Sequence, residues 1–254
     1  MQVPRSKLFI SGDCLDQLQD AMLSEPDALS IDLEDGVAEP NKAHARECVS
    51  RFLRSHRLPC QVWVRINGIK SSDWVSDILA LAGTHVDIIN LPKVESASDV
   101  LVLEQLLSHI EAAEGIGRRI RIVPTIESAR GLRLAGEIGA ASSRVLALQL
   151  GAGDLTQSSG IDRFGTGLDF IRASISLAAA EAGVLAIDST PHGMSDLAAF
   201  EADALKARSF GLRGKSCMLP SQVNLANRIF GDAHSAASLD RSDDLQERSL
   251  AIQC

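Results

Sequence analysis

No run of apolar residues in the chain approaches the roughly 20 needed to cross a bilayer. The opening stretch, Met1 to Ile10, lacks the apolar core and cleavage pattern of a secretory signal. A basic excess is missing too. Twenty-five Lys and Arg stand against 33 Asp and Glu, a formal net charge of −8, so general nucleic-acid binding is excluded as an expectation. The five cysteines, Cys14, Cys48, Cys60, Cys217 and Cys254, are scattered and form no C-x-x-C pair. Reduced thiols in a cytoplasmic protein are expected, not a disulfide framework or a zinc site. There is no G-x-G-x-x-G and no P-loop pattern, which counts against an open nucleotide-binding sheet. His44 and His192 lack metal-ligand spacing and read as ordinary polar residues.

What is present is an alternation of short β-branched runs with amphipathic helical stretches. Strands are expected at Leu8–Ile10, Ala28–Leu33, Val62–Ile66, Ile88–Leu91, Ile120–Pro124, Val145–Leu150, Leu185–Ile187 and Lys215–Met218. Several are nearly continuous apolar runs, as parallel strands covered by helices require. Between them, Ala45, Cys48, Val49, Phe52 and Leu53 mark one helical face, as do Ile171, Ile175, Ala178 and Ala182. Gly83, Gly115, Gly139, Gly183 and Gly211 are expected as left-handed helix C-caps before the next strand. In a chain of 254 residues, 45% of them hydrophobic, eight such units predict one TIM-type (β/α)8 barrel over residues 1–230. Residues 231–254 turn to Ser, Ala, Asp, Arg and Gln and are expected as a polar tail.

Barrel enzymes place their chemistry at the C-terminal ends of strands. Those positions carry Ser11 and Gly12, Glu34 and Asp35, Arg65 and Asn67, Lys93 and Glu95, Glu127, Asp154 and Asp188. Glu127 and Asp154 lie one β/α unit apart, so they either share a divalent cation or each cap the helix that follows. Oxygen ligands without His or Cys suit Mg2+, with Mn2+ the next choice. Arg65 can grip a carboxylate ligand, pair with Glu34 or Asp35, or do both. Lys42 either neutralises that acidic cluster or is a solvated helix-start lysine. Glu95 and Lys93 line the mouth or form a loop ion pair. Asp188 orients a neighbour or caps the turn before Pro191.

A set of blocks occurs in order along the chain: Arg5-Ser-Lys-Leu-Phe-Ile-Ser-Gly, Ile31-Asp-Leu-Glu-Asp-Gly, Val64-Arg-Ile-Asn, Leu91-Pro-Lys-Val-Glu-Ser, Ile126-Glu-Ser-Ala-Arg-Gly, Gly151-Ala-Gly-Asp-Leu and Gly211-Leu-Arg-Gly-Lys. Together they resemble the HpcH/HpaI aldolase and citrate lyase family, in particular its citrate lyase β-like branch. The resemblance implies a Mg2+-dependent, homo-oligomeric (trimeric or hexameric) barrel. Such a barrel cleaves or forms a carbon–carbon bond beside an acyl-CoA thioester such as citryl-CoA or malyl-CoA. It further implies that Glu127 and Asp154 bind the metal and that Arg65 holds the carboxylate of the 2-keto-acid half. Proton transfer falls to Glu34 or Asp35. Asp35 is expected to orient Arg65, and Glu34 to support the metal. Ser11, Gly12, Lys93 and Arg5 complete the expected substrate contacts, with Arg5 and Lys7 near the mouth to meet CoA phosphates.

The chain departs from the family pattern where relatives have proline at Ser11 and histidine at Leu219. Two alternatives follow from the same residues. One is a metal-dependent aldolase acting on free 2-keto acids without CoA; the lack of any His before His44 counts against it. The other is a non-catalytic barrel used as a binding or assembly subunit, motivated by Ser11 and Leu219.

Overall fold

Period-two alternation along each strand sorts the barrel's side chains into an outer and an inner set. The computed structural model describes residues 2–191 and 193–231, so His192 and residues 232–254 of the expected tail lie outside the described residues. The elements run β1 (Ser6–Ser11), α1 (Leu18–Met22), β2 (Ala28–Asp32), α2 (Lys42–Ser55), β3 (Gln61–Arg65), α3 (Trp74–Leu81), β4 (Ile88–Leu91) and α4 (Ala97–Ala113). They continue with β5 (Arg121–Ile126), α5 (Ala129–Arg133), α6 (Ala135–Ala140), β6 (Ala147–Leu150), α7 (Ala152–Ser159), α8 (Thr166–Glu181), β7 (Leu185–Ile187), α9 (Leu197–Ser209) and β8 (Lys215–Cys217). A last helix, α10, covers 220–231.

The strands are parallel, in the order β7-β6-β5-β4-β3-β2-β1-β8. A bridge between Asp188 and Lys215 joins β7 to β8 and closes the barrel. Backbone bonds from Asp188 N–H to Gly214 O and from Ser216 N–H to Asp188 O, both 2.9 Å, complete the seam. The eight expected strands and the closed barrel are all present.

Leu8, Leu29, Ile31, Val64, Ile89 and Leu148 face outward and join Ala45, Val49, Leu103, Ile175 and Phe200 of the helices in the main core. Ala28, Trp63, Ile88, Val123, Ala147 and Ile187 face inward and form a small second core that plugs the barrel. Two residues further along the same inner face the side chains are Ser30, Arg65, Asn90, Thr125 and Gln149. Asp32 and Glu127 follow on that face. The interior therefore changes from apolar to charged toward the C-terminal strand ends, and this gradient positions the site.

Gly83, Gly115, Gly183 and Gly211 have positive φ, as their C-cap role requires. Gly139 does not. It lies inside α6, where an added Cβ would come 2.7 Å from the Ala182 Cβ, so its smallness serves close packing. No helix among the described residues is long and apolar enough to cross a membrane.

Asp188 neither caps a turn nor acts alone. Its carboxylate is fully buried and accepts from Arg172 Nη2 at 2.8 Å and from Lys215 Nζ. Both cations also bind Asp203, each at 2.8 Å. Two cations and two anions thus fill the space between the seam and helices α8 and α9. Removing one anion would leave a buried charge uncompensated. Asp188→Ala should lower stability by about 3–5 kcal/mol, read as a shift of the denaturation midpoint, whereas the surface pair Arg228–Glu201 should be nearly silent.

Candidate functional site

Asp32 ends β2 and stands in register with Arg65, the last residue of β3. Arg65 Nε donates to Asp32 Oδ1 at 2.7 Å and Nη2 to Oδ2 at 2.6 Å, a two-point fork. Glu34 N–H at 3.0 Å and Gly36 N–H at 2.8 Å donate to the same carboxylate. Gly36 must be glycine for this, because a Cβ there would sit 2.3 Å from Asp32 Oδ2. Burial pushes the Asp32 carboxyl up, but the Arg65 guanidinium and the two N–H donors outweigh it and hold the group below its ordinary value. The orienting partner of Arg65 is therefore Asp32, and the expectation for Asp35 is corrected.

Glu34 contacts Arg65 Nη1 at 3.0 Å and Lys93 Nζ at 2.7 Å. Its burial raises its pKa against the pull of both cations. Asp35 pairs with Lys93 at 3.1 Å, remains open to solvent, and lines the cavity described below. Lys93 carries a φ of 54°, a left-handed conformation unusual for a side chain of its size, and it holds Glu34 and Asp35 together from outside the cavity wall. Glu95 forms a loop pair with Lys70 at 2.6 Å. Lys42 meets no carboxylate among the described residues and is half-buried. Its Nζ donates to the Glu34 carbonyl at 3.0 Å and to Asn67 Oδ1 at 2.5 Å, fastening the loop after β2.

Three further expectations change. Arg5 precedes β1 and so lies at the N-terminal end of the barrel, away from the site, where its fork binds Asp27 at 2.7 Å. Lys7 is fully buried inside the barrel, donating to Asn90 Oδ1 at 3.0 Å beneath the faces of Phe9 and Trp63. Burial first, and then the Arg65 charge, holds its pKa well below the usual lysine value. Gly12 gives a close approach: its N–H donates to Asp32 O at 2.8 Å, and a Cβ would meet that oxygen. Ser11 does face the cavity, and its hydroxyl lies 2.6 Å from Gly36 O, tying the first two strand-end loops together. Leu219 does not line the cavity; Met218 does.

The charged strand ends surround a cavity of about 310 Å³. Glu127 and Asp154 both line it. Neither caps a helix: Ser128 caps α5 by accepting from Gly131 N–H at 3.0 Å, and Gly151 occupies the cap of α7. Burial, then the Glu34 charge and the adjacent Asp154 carboxyl, push Glu127 well above the usual carboxylate range. Its Oε1 is buried with no hydrogen-bond partner. Gly151 leaves room for it, since a Cβ would fall 2.3 Å from Glu127 Cγ. A buried, partnerless carboxylate oxygen beside a second carboxylate fits a divalent cation. Among the described residues no three His, Cys, Asp or Glu side chains are placed to hold a metal alone. Water and a bound acid would complete the shell, as oxygen-preferring Mg2+ or Mn2+ allows.

Because the folded-state pKa of Asp32 is depressed, its contribution is present above the unfolded value near ~3.9 and is lost as pH falls through the folded value. Asp32→Asn should cost about 1.5–3 kcal/mol at pH 7. In denaturation series the gap between wild type and variant should close below about pH 4.

Comparison with known proteins places this geometry. The family model described as HpcH/HpaI aldolase/citrate lyase matches residues 5–220. Citrate lyase subunit beta of Escherichia coli is 34% identical over 233 residues, 89% of this chain and 76% of that protein. The L-malyl-CoA/beta-methylmalyl-CoA lyase of Rhodobacter capsulatus is 32% identical over 259 residues, 92% of this chain and 81% of that one. The solved citrate lyase beta subunit of M. tuberculosis, complexed with oxaloacetate and magnesium, superposes with a TM-score of 0.74 at 30% identity. That match covers 89% of this chain and 96% of that structure. The chain belongs to the HpcH/HpaI aldolase/citrate lyase family.

Proposed function

We propose that the protein is a divalent-metal-dependent carbon–carbon lyase acting on a β-hydroxyacyl-CoA, of which citryl-CoA and malyl-CoA are the candidates. It would yield, or in reverse consume, an acyl-CoA and a 2-keto acid. The observation that carries this reading is the partnerless Oε1 of Glu127, which faces the same cavity as Asp154 and Arg65. Family membership and the relatives named for citrate and malyl-CoA cleavage support the same class.

Glu127 and Asp154 would hold Mg2+, with Mn2+ as a substitute. Bound there, the ion supplies Lewis acidity toward the oxygen that becomes the keto group. Arg65 spends two of its five N–H donors on Asp32 and pairs by charge with Glu34 at 3.0 Å, which leaves donors to hold the keto-acid carboxylate. Asp32 keeps that fork from turning, which fixes the acid in one orientation. Asp35, which is open to solvent and lines the cavity, would take the hydroxyl proton. Glu34, engaged by Arg65 and Lys93, serves as a holder of both. The electron pair of the breaking bond goes to the carbon next to the thioester, which then takes up a proton. The same proposal includes assembly as a homo-oligomer.

Calorimetric titration of Mg2+, alone and with oxaloacetate, tests the reading. Wild type should bind the ion, and oxaloacetate should tighten it. Glu127→Ala and Asp154→Ala should each lose binding while remaining folded. Folded wild type that binds no metal under either condition would sink the lyase proposal.

A further inference from the structure

Three arginines line the cavity, and they are not equivalent. Arg65 is matched by Asp32 and Glu34. Arg172 is matched by Asp188 and Asp203. Arg163, in the loop joining α7 to α8, has no carboxylate partner among the described residues. Its Nε is buried without a hydrogen-bond acceptor, while its guanidinium lies 5.4 Å from the Phe164 ring centre. A buried guanidinium nitrogen left without an acceptor is costly unless a ligand supplies one.

The placement of Arg163 says what that ligand carries. Arg65 ends β3, Glu127 follows β5, and Arg163 follows the helix after β6, so in strand order the carboxylate pair lies between the two arginines. A cation held by Glu127 and Asp154 balances those two acids, and Asp32 and Glu34 balance Arg65 and Lys93. Arg163 remains as an unmatched positive charge on the cavity wall. A cavity of about 310 Å³ has room for a small acid.

We propose that Arg163 binds a second carboxylate of the keto-acid half and so selects dicarboxylic over monocarboxylic 2-keto acids. The inference rests on the lyase reading above and adds to it the residue that sets substrate class. Arginine suits the task because its planar fork meets a carboxylate at two points, and its partial burial makes the missing anion felt.

The test is calorimetric titration of oxaloacetate, pyruvate and coenzyme A into the Mg2+-loaded full chain, for wild type, Arg163→Gln and Arg163→Lys. Wild type should bind oxaloacetate at least about tenfold more tightly than pyruvate (about 1.4 kcal/mol). Arg163→Gln should erase that preference and leave pyruvate affinity unchanged; Arg163→Lys should keep part of it. An oxaloacetate-to-pyruvate ratio unchanged in Arg163→Gln, with pyruvate still bound, overturns the role of Arg163 and leaves the lyase reading standing. A loss confined to coenzyme A overturns it as well, because the anion met by Arg163 is then a phosphate. Failure of wild type to bind either acid overturns the lyase reading and this inference with it.

Discussion

The fork between Arg65 and Asp32 is the constraint on which the rest of the site depends. A guanidinium at the inner end of a barrel strand cannot remain there unpaired, and the register of β2 against β3 sets a carboxylate directly opposite it. The same carboxylate draws in the N–H groups of Glu34 and Gly36, so the loop after β2 is wound around Asp32. That winding presents Asp35 to the cavity and Glu34 to Lys93. One ion pair thus fixes a side chain, a loop and two further acids. Burial would push the Asp32 carboxyl toward neutrality, and the three donor groups around it win.

Beneath that layer the interior is ordered by the direction of hydrogen bonds. Lys7 Nζ donates to Asn90 Oδ1, and the Asn90 amide nitrogen donates to Thr125 Oγ1 at 2.7 Å and Val123 O at 2.9 Å. Thr125 lies on the inner face of β5 two residues before Glu127, so this chain ends next to the partnerless carboxylate oxygen. The inner face is therefore polar, and the buried oxygens left there without a hydrogen-bond partner include Ser30 Oγ, Gln149 Oε1 and Glu127 Oε1. Of these three, only the Glu127 oxygen belongs to an acid, and it shares the cavity with the Asp154 carboxylate, which is what suits it to a cation.

The fold was legible because each strand is short, β-branched and followed by helical periodicity, so tertiary context had little to override. The site was legible where chemistry coincided with a strand end, as at Arg65, Glu127 and Asp154. It was misread where face or direction mattered more than residue type. Asp32, Glu34 and Asp35 are close neighbours in sequence, but only Asp32 shares the inner face of Ala28 and Ser30. Counting by two from Ala28 would have separated it from Asp35. Arg5 was set at the mouth although it precedes β1, and parallel strands carry such a residue to the opposite end. Arg163 had no signal at all, since a loop arginine acquires meaning only when its neighbours prove to lack an acid for it.

The closing seam and the cavity share a wall, and this couples stability to chemistry. β7 and β8 are three residues each, so few backbone bonds join them, and the charged quartet of Arg172, Lys215, Asp188 and Asp203 supplies what the short ladder lacks. Arg172 also lines the cavity, and it lies on α8, the helix that begins just after Arg163. A barrel closed by apolar contacts would have left that wall without charge. Closure by paired charges holds α8 against the seam, and with it the loop that presents Arg163, a guanidinium with no carboxylate partner among the described residues, to the cavity.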